Sequence, residues 1–371
     1  MKIIILVRIL WTSGAQKIAI EQTKALEKLG YEVKLIFLRE TESGKNLNSS
    51  LSEVNYEIFS NRLAPRWIYS SITGMFVPER KGEGALDYDL LKNFSESVKI
   101  GDADYIICHD QWAGVAGLKI YKNTGIPYSV FCHERITGSY SIPIVGNYVR
   151  RTEETVLKSA KKVFGVTEKV ADSIKSTYNI NAKQNLPGMD IKETKKFKDK
   201  KNVLLASATW DKNRKPMNYL NIIDKLQDFK LFFVGRWRVH SEYEEFLNYI
   251  SNHDISERVF MKPEISEVEL QSLYTDAKFS LRFGQEEWGL GTSNVEAISH
   301  LTPIIINSEL GISDLILRMG GGLVTDKINI NMITDFIKNN NVEEKYTELQ
   351  RQLLKITSEI TWEKHVKNLI I

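Results

Sequence analysis

The chain reads as α/β, with two doubly wound parallel-sheet domains in succession, and three observations predict it. Short apolar runs alternate with stretches of helical spacing along most of the 371 residues, the pattern of parallel sheets covered on both faces. That length is too great for one small core and suits two domains of roughly 150 residues each. A charge-dense segment, Ile-Lys-Glu-Thr-Lys-Lys-Phe-Lys-Asp-Lys-Lys at 191–201, interrupts the rhythm and reads as a solvated linker. The alternation then restarts.

Each element has its own signal. The apolar run 3–7 lies between Lys2 and Arg8 and is followed by a helix signal, not by a small-residue cleavage site, so it is a buried strand and not a signal peptide. Ile18, Ala25, Leu26 and Leu29 keep helical spacing, Gly30 stops that helix, and 33–38 resumes an apolar run. Strands at 105–108, 128–132 and 163–166 then alternate with helices at 112–121, 149–159 and 168–178. Beyond the linker, strands at 203–208, 231–234, 259–261, 277–283 and 303–306 alternate with helices at 217–226, 241–251, 267–274, 295–300 and 312–318. Helices at 342–356 and 362–371 close the chain.

Composition removes several classes of function. A formal charge of +3 is small for this length and argues against nucleic acid as a partner. No apolar run reaches the roughly 20 residues that span a bilayer. Two cysteines, Cys108 and Cys132, make a disulfide framework implausible and point to a reducing cytoplasm. Each is followed by a histidine, His109 and His133, but adjacent strand residues face opposite ways, so the pairs converge poorly on zinc. The better reading packs the cysteines as small apolar residues and puts one or both histidines at strand ends facing a ligand. Asp87/Asp89 and Asp102/Asp104 read as structural, and no metal site is expected. Residues 62–81 interleave Arg62, Arg66, Arg80 and Lys81 with aromatic and aliphatic side chains. They read as a loop packed on the first domain, with peripheral contact to a membrane surface as the other reading.

The richest stretch is Glu286-Glu287-Trp288-Gly289-Leu290-Gly291-Thr292-Ser293-Asn294-Val295-Glu296-Ala297. It joins an apolar strand to a helix, and a glycine-bearing turn there leaves backbone amides free at the helix start. Those donors and the helix dipole attract a phosphate. Glu296, in the first turns of the helix, suits the hydroxyls of an adjoining sugar, and Glu286 or Glu287 suits those of a second polyol. A phosphate with hydroxyls on both sides describes a nucleotide-sugar. In open parallel sheets ligands bind beyond the carboxyl ends of the strands, and two such domains imply a cleft. Gly14, after the first strand, Lys215, after the first strand of the second domain, and the turn glycine Gly235 would face it. A lysine there would neutralise a diphosphate.

These residues resemble glycosyltransferase family 4, with the GT-B fold of two Rossmann-like domains facing across a cleft, over nearly the whole chain. Ser13-Gly14-Ala15 resembles the family's glycine-rich start, His133 in Phe131-Cys132-His133 falls at its active-site histidine, and Asn185-Leu186-Pro187-Gly188-Met189-Asp190 resembles the end of its first domain. Lys215 matches the lysine on the donor diphosphate, Glu296 the glutamate on the nucleotide ribose, and Glu286 the glutamate on the donor sugar. Trp362-Glu363-Lys364-His365 resembles the helix that crosses back to the first domain. The resemblance implies an N-terminal acceptor-binding domain at 1–190, completed by helix 362–371, and a donor-binding domain at 191–361. It implies catalytic His133, Glu286 and Lys215, with the donor held by Gly14, Lys215, Glu287, Gly291, Thr292, Ser293, Asn294 and Glu296. It further implies a retaining transfer with no cofactor or metal, from a nucleoside-diphosphate sugar to a glycan, lipid-linked or small-molecule acceptor, in the cytoplasm or at the inner face of the membrane.

Three departures from the family stand out. Its second cationic residue falls at Thr209, so that Arg214, Arg236 or Arg282 would have to supply the charge. The two glutamates lie two residues further apart than usual, which lets Glu287 compete with Glu286. The glycine after the helix is Leu301. A non-catalytic sugar-nucleotide-binding subunit and an epimerase of the same fold are the competing readings. A plain Rossmann dehydrogenase lacks its Gly-x-Gly-x-x-Gly fingerprint after the first strand.

Overall fold

The structure is a computed structural model that describes residues 1–10, 13–40, 48–59, 102–136, 138 and 146–370, the side chains at 48–49 and 146–149 aside. The chain forms two compact units, one of Met1–Pro187 with Trp362–Ile371 and one of Gly188–Thr361.

In the first unit the elements run β1 (Lys2–Leu10), α1 (Gly14–Lys28), β2 (Glu32–Glu40), α2 (Asn48–Leu51) and β3 (Tyr56–Ile58). They continue as β4 (Tyr105–His109), α3 (Asp110–Thr124), β5 (Tyr128–Cys132), α4 (Gly146–Ser159), β6 (Lys162–Gly165), α5 (Glu168–Tyr178) and β7 (Lys183–Gln184). The strands make one parallel sheet in the order β3-β2-β1-β4-β5-β6-β7. Ile3, Ile5, Leu6, Ile106, Ile107 and Val130 are fully buried, which is why these strands read as unbroken apolar runs rather than as alternating ones.

The second unit contains β8 (Lys201–Ser207), α6 (Pro216–Asp224), β9 (Lys230–Val234), α7 (His240–Ser251), β10 (Val259–Lys262), α8 (Glu267–Asp276) and β11 (Ala277–Arg282). After these come α9 (Thr292–Ser299), β12 (Ile304–Asn307), α10 (Ser313–Met319), β13 (Gly322–Thr325), α11 (Ile330–Asn340) and α12 (Glu343–Glu359). Its sheet is parallel in the order β10-β9-β8-β11-β12-β13. Trp210, Tyr219, Phe233 and Phe283 form an aromatic cluster in the core under this sheet.

The last helix, α13 (Trp362–Ile370), packs on α1 and buries His365, Val366 and Leu369. The segment expected to be a solvated linker is exposed over most of its length, but two of its residues anchor it. Phe197 packs against the core of the second unit. Lys200 is buried and donates to the carbonyls of Thr275 and Ala277 at 3.0 Å and to the Thr302 hydroxyl at 2.8 Å. Three acceptors around one ammonium offset its loss of water. Burial lowers the Lys200 pKa to about 7.

Candidate functional site

In each sheet the strand order reverses once, between β1 and β4 and between β8 and β11. Loops leaving such a switch point diverge to opposite faces and open a crevice at the carboxyl edge. The candidate residues of the second unit follow β8 and β11, which lie side by side with Leu205 opposite Ser280.

From β8 the chain passes the exposed Thr209 and the fully buried Trp210 to Lys215, which sits in the left-handed region at φ 51°. Pro216 then opens α6. From β11 it passes Gly284, whose amide donates to Asn307 Oδ1 and whose carbonyl accepts from Asn307 Nδ2. The two loops meet where Lys215 Nζ donates to Gln285 Oε1 at 3.2 Å. Glu286 also has a positive φ, 52°, its amide donates to Glu309 Oε2 at 3.0 Å, and it is exposed. Positive φ in non-glycine residues is costly and concentrates where surrounding structure enforces it, often at functional sites.

Glu287 behaves differently from Glu286. Its carboxylate accepts from Arg282, which is 4 % exposed, and from Arg214 at 3.2 Å. Burial pushes its carboxyl up to about 7, and Arg214 pulls the other way. Two of the three residues that stood to replace the missing family cation, Arg214 and Arg282, are therefore committed to Glu287. Arg236 is exposed. The Glu287 carbonyl accepts from the amide of Gly311 at 2.8 Å, and a side chain at Gly311 would lie 1.9 Å from the Trp288 carbonyl oxygen. That contact holds the loop against the start of α10.

Gly291, at φ 69°, caps α9. The Asn294 amide turns back to the Gly291 carbonyl at 3.0 Å, whereas the amides of Thr292 and Ser293 donate to no acceptor among the described residues. Gly291 and Thr292 are exposed, so the helix mouth opens to solvent. One turn further on, Glu296 is held by Lys192 and by Gln271 Nε2 at 3.0 Å. Gln271 Oε1 accepts from Lys192 at 3.1 Å and pairs with His300 Nε2 at 2.6 Å. His300 Nδ1 lies 2.6 Å from the Glu193 carbonyl oxygen. This bracing of Glu296 was not legible in the sequence, because its members come from the linker, α8 and the end of α9. Leu301, where the family has glycine, keeps the left-handed conformation at φ 49°.

In the first unit Gly14 starts α1 after β1, and residues 11 and 12 beside it lie outside the described residues, as do Asp87/Asp89 and the basic, aromatic stretch 62–81. His109 ends β4 and His133 follows β5, and both are buried. Asp110, at φ 68°, directs its carboxylate to the His133 amide at 3.1 Å. His133 Nε2 lies 2.8 Å from His109 Nδ1, His109 Nε2 lies 2.8 Å from Gln22 Oε1, and Gln22 Nε2 lies 2.7 Å from His365 Nε2. Burial lowers the pKa of all three histidines, that of His365 to about 3. Cys108 and Cys132 are buried free thiols, and burial pushes both up. Among the described residues no cluster of three or more histidine, cysteine, aspartate or glutamate side chains could hold a metal ion. No helix among them is long and apolar enough to cross a membrane.

A model of glycosyltransferase family 4 matches residues 12–185, and one of the glycosyl transferases group 1 matches residues 189–353. Comparison with curated proteins gives no match. Among solved structures, Anabaena HepE in complex with UDP and glucose superposes with a TM-score of 0.74 at 14% identity, over 99% of this chain and 98% of that one. Sucrose-phosphate synthase from Thermosynechococcus elongatus gives 0.70 at 13%, over 99% and 97%. A S. aureus TarM variant in complex with fondaparinux, alpha-GlcNAc-glycerol and UDP gives 0.71 at 12%, over 99% and 98%. At these identities the likeness is one of fold.

Proposed function

The chain belongs to the family 4-like glycosyltransferases of GT-B fold, and from that premise we propose that it takes a sugar from a nucleoside diphosphate and transfers it with retention of configuration. The observation that carries this is the convergence at the switch point of the second sheet. Two uncommitted amides at an open helix mouth, Lys215 from the neighbouring loop and the braced carboxylate of Glu296 lie on loops and a helix that leave adjacent strands.

The parts divide the chemistry between them. The Thr292 and Ser293 amides, with Gly291 leaving the backbone open, and Lys215 receive the diphosphate and stabilise the charge that grows on it as the glycosidic bond breaks. That work needs no metal and no cofactor in this proposal. Glu296 accepts from the ribose hydroxyls. Glu286 accepts from the donor sugar. Its neighbour Glu287, neutralised by Arg214 and Arg282, shapes the loop instead. His133 orients the reacting sugar. The acceptor is a glycan or a lipid-linked or small-molecule alcohol. HepE and TarM were both solved with UDP, which makes UDP-sugars the first donors to try.

Turnover tests the assignment. With a donor that the wild type uses, Lys215→Ala should lower kcat/KM by about a hundredfold, the scale of removing one donor to a developing charge. Glu296→Ala should lower it by about tenfold to a hundredfold, the scale of losing a charged hydrogen bond to the ribose. Wild-type rates in both variants would remove the site from the second unit.

A further inference from the structure

We propose that Gln22 fixes the tautomer of His133 through His109, so that His133 offers its reacting partner a lone pair and not an N–H. The inference rests on the reading of His133 as the residue beside the reacting sugar. Its geometry comes from four buried side chains on three elements and a loop: Gln22 in α1, His109 at the end of β4, His133 just after β5 and His365 in α13.

The directions of the hydrogen bonds follow by elimination. A neutral imidazole carries one N–H, and a primary amide has an oxygen that only accepts and a nitrogen that only donates. Gln22 Oε1 faces His109 Nε2 at 2.8 Å, so His109 must carry its proton on Nε2. Its Nδ1 is then an acceptor, and His133 Nε2, 2.8 Å away, must carry the proton that fills it. The one nitrogen left unprotonated on His133 is Nδ1. On the other side Gln22 Nε2 faces His365 Nε2 at 2.7 Å, so His365 keeps its proton on Nδ1, a buried atom with no hydrogen-bond partner among the described residues. The reversed amide would put that proton on Nε2 and move the other two protons with it. Burial holds all three rings neutral near pH 7, which is the condition for the elimination to hold.

The orientation of one amide therefore sets three tautomers. The Gln22 amide cannot ionise, and its place in the middle of α1 keeps it between β4 and α13. The lone pair on His133 suits a sugar hydroxyl, which it would hold by accepting its proton in a hydrogen bond. The Asp110 carboxylate accepts from the His133 amide and fixes the main chain at this residue, and its charge acts on the ring in opposition to burial. Gln22 and His109 are thus positioning residues. They act on His133 without touching the substrate.

Nitrogen-15 NMR of the imidazole rings in the full chain at pH 7.5 tests this directly, with signals assigned from single His→Gln variants. The expected result is a protonated Nε2 and an unprotonated Nδ1 at His133, and the reverse at His365. In Gln22→Leu the His109 proton loses its acceptor. The His133 signals should then move toward an average of both tautomers, and kcat should fall about tenfold with donor KM within about twofold, since orientation and not binding is lost. In Gln22→Glu the carboxylate accepts on both sides, so His133 should keep its wild-type signature while the proton of His365 moves to Nε2. A protonated Nδ1 on His133 in the wild type overturns the proposal, as does an unchanged His133 signature in folded Gln22→Leu. Should Gln22→Leu fail to fold, an unmoved His365 proton in Gln22→Glu overturns it instead. Full activity in His133→Ala would defeat the role given to His133 but leave the tautomer assignment standing, so the two failures are told apart.

Discussion

Lowering the pH from 7.5 to 5 should weaken the first unit through its buried histidines. His365 is depressed in the folded state from 6.5 to about 3 by burial. The sign follows from linkage: the unfolded chain binds a proton below 6.5 that the folded chain refuses, so the contribution is complete above 6.5 and is lost as pH falls toward 3. At pH 5 the unfolded side chain lies about 1.5 pH units below its own pKa, which amounts to about 2 kcal/mol. His109, held well below its ordinary value by burial and by His133 and His365, adds a contribution of the same sign. The assay is native-state hydrogen exchange of amides in β4 and β5, which reads the first unit separately from the second. Between pH 7.5 and 5, corrected for intrinsic exchange, His365→Gln should lose about 2 kcal/mol less protection than the wild type. Equal losses in the two proteins would refute the reasoning, because the variant lacks the group that titrates.

Three further expectations concern the second unit. Gly311→Ala places a methyl 1.9 Å from the Trp288 carbonyl oxygen. It should cost about 2 kcal/mol in urea unfolding, and a cost below about 0.5 kcal/mol would show that the loop adjusts freely. Leu301→Gly relieves a left-handed residue at φ 49°, a gain of about 1–2 kcal/mol. It also frees the unfolded chain and removes a partly buried side chain, which together cost about 2 kcal/mol or more. The thermal midpoint should therefore not rise, and a rise of several degrees would show that the strain dominates. Gln271→Leu removes a brace from Glu296 and should raise donor KM about tenfold with kcat nearly unchanged. An unaltered KM would mean that Lys192 suffices to hold the carboxylate.

The sheets were legible in the sequence because parallel strands buried on both faces leave unbroken apolar runs, as Ile3-Ile4-Ile5-Leu6-Val7 does here. The short strand β13 and helix α11 were not foreseen. The first is only Gly322-Leu323-Val324-Thr325 behind two more glycines. The second spaces Ile330, Ile333 and Ile337 correctly but mixes them with asparagines and β-branched residues of low helix propensity. The helix mouth at Gly291 was legible because glycine, strand and helix adjoin in the chain. What surrounds Glu296 and His133 was not. Lys192, Gln271 and His300 are far apart in sequence, as are Gln22, His109, His133 and His365, and the topology alone brings them together. The different surroundings of Glu286 and Glu287 likewise needed coordinates, because only they show that two arginines hold the Glu287 carboxylate.

The central claim is that the start of α9 grips a diphosphate. A crystal structure of the chain with UDP bound tests it most directly. The account predicts phosphate oxygens within about 3 Å of the Thr292 and Ser293 amides, Lys215 turned to the diphosphate, and Glu296 on the ribose. A diphosphate bound elsewhere, with those amides still open to water, would contradict it.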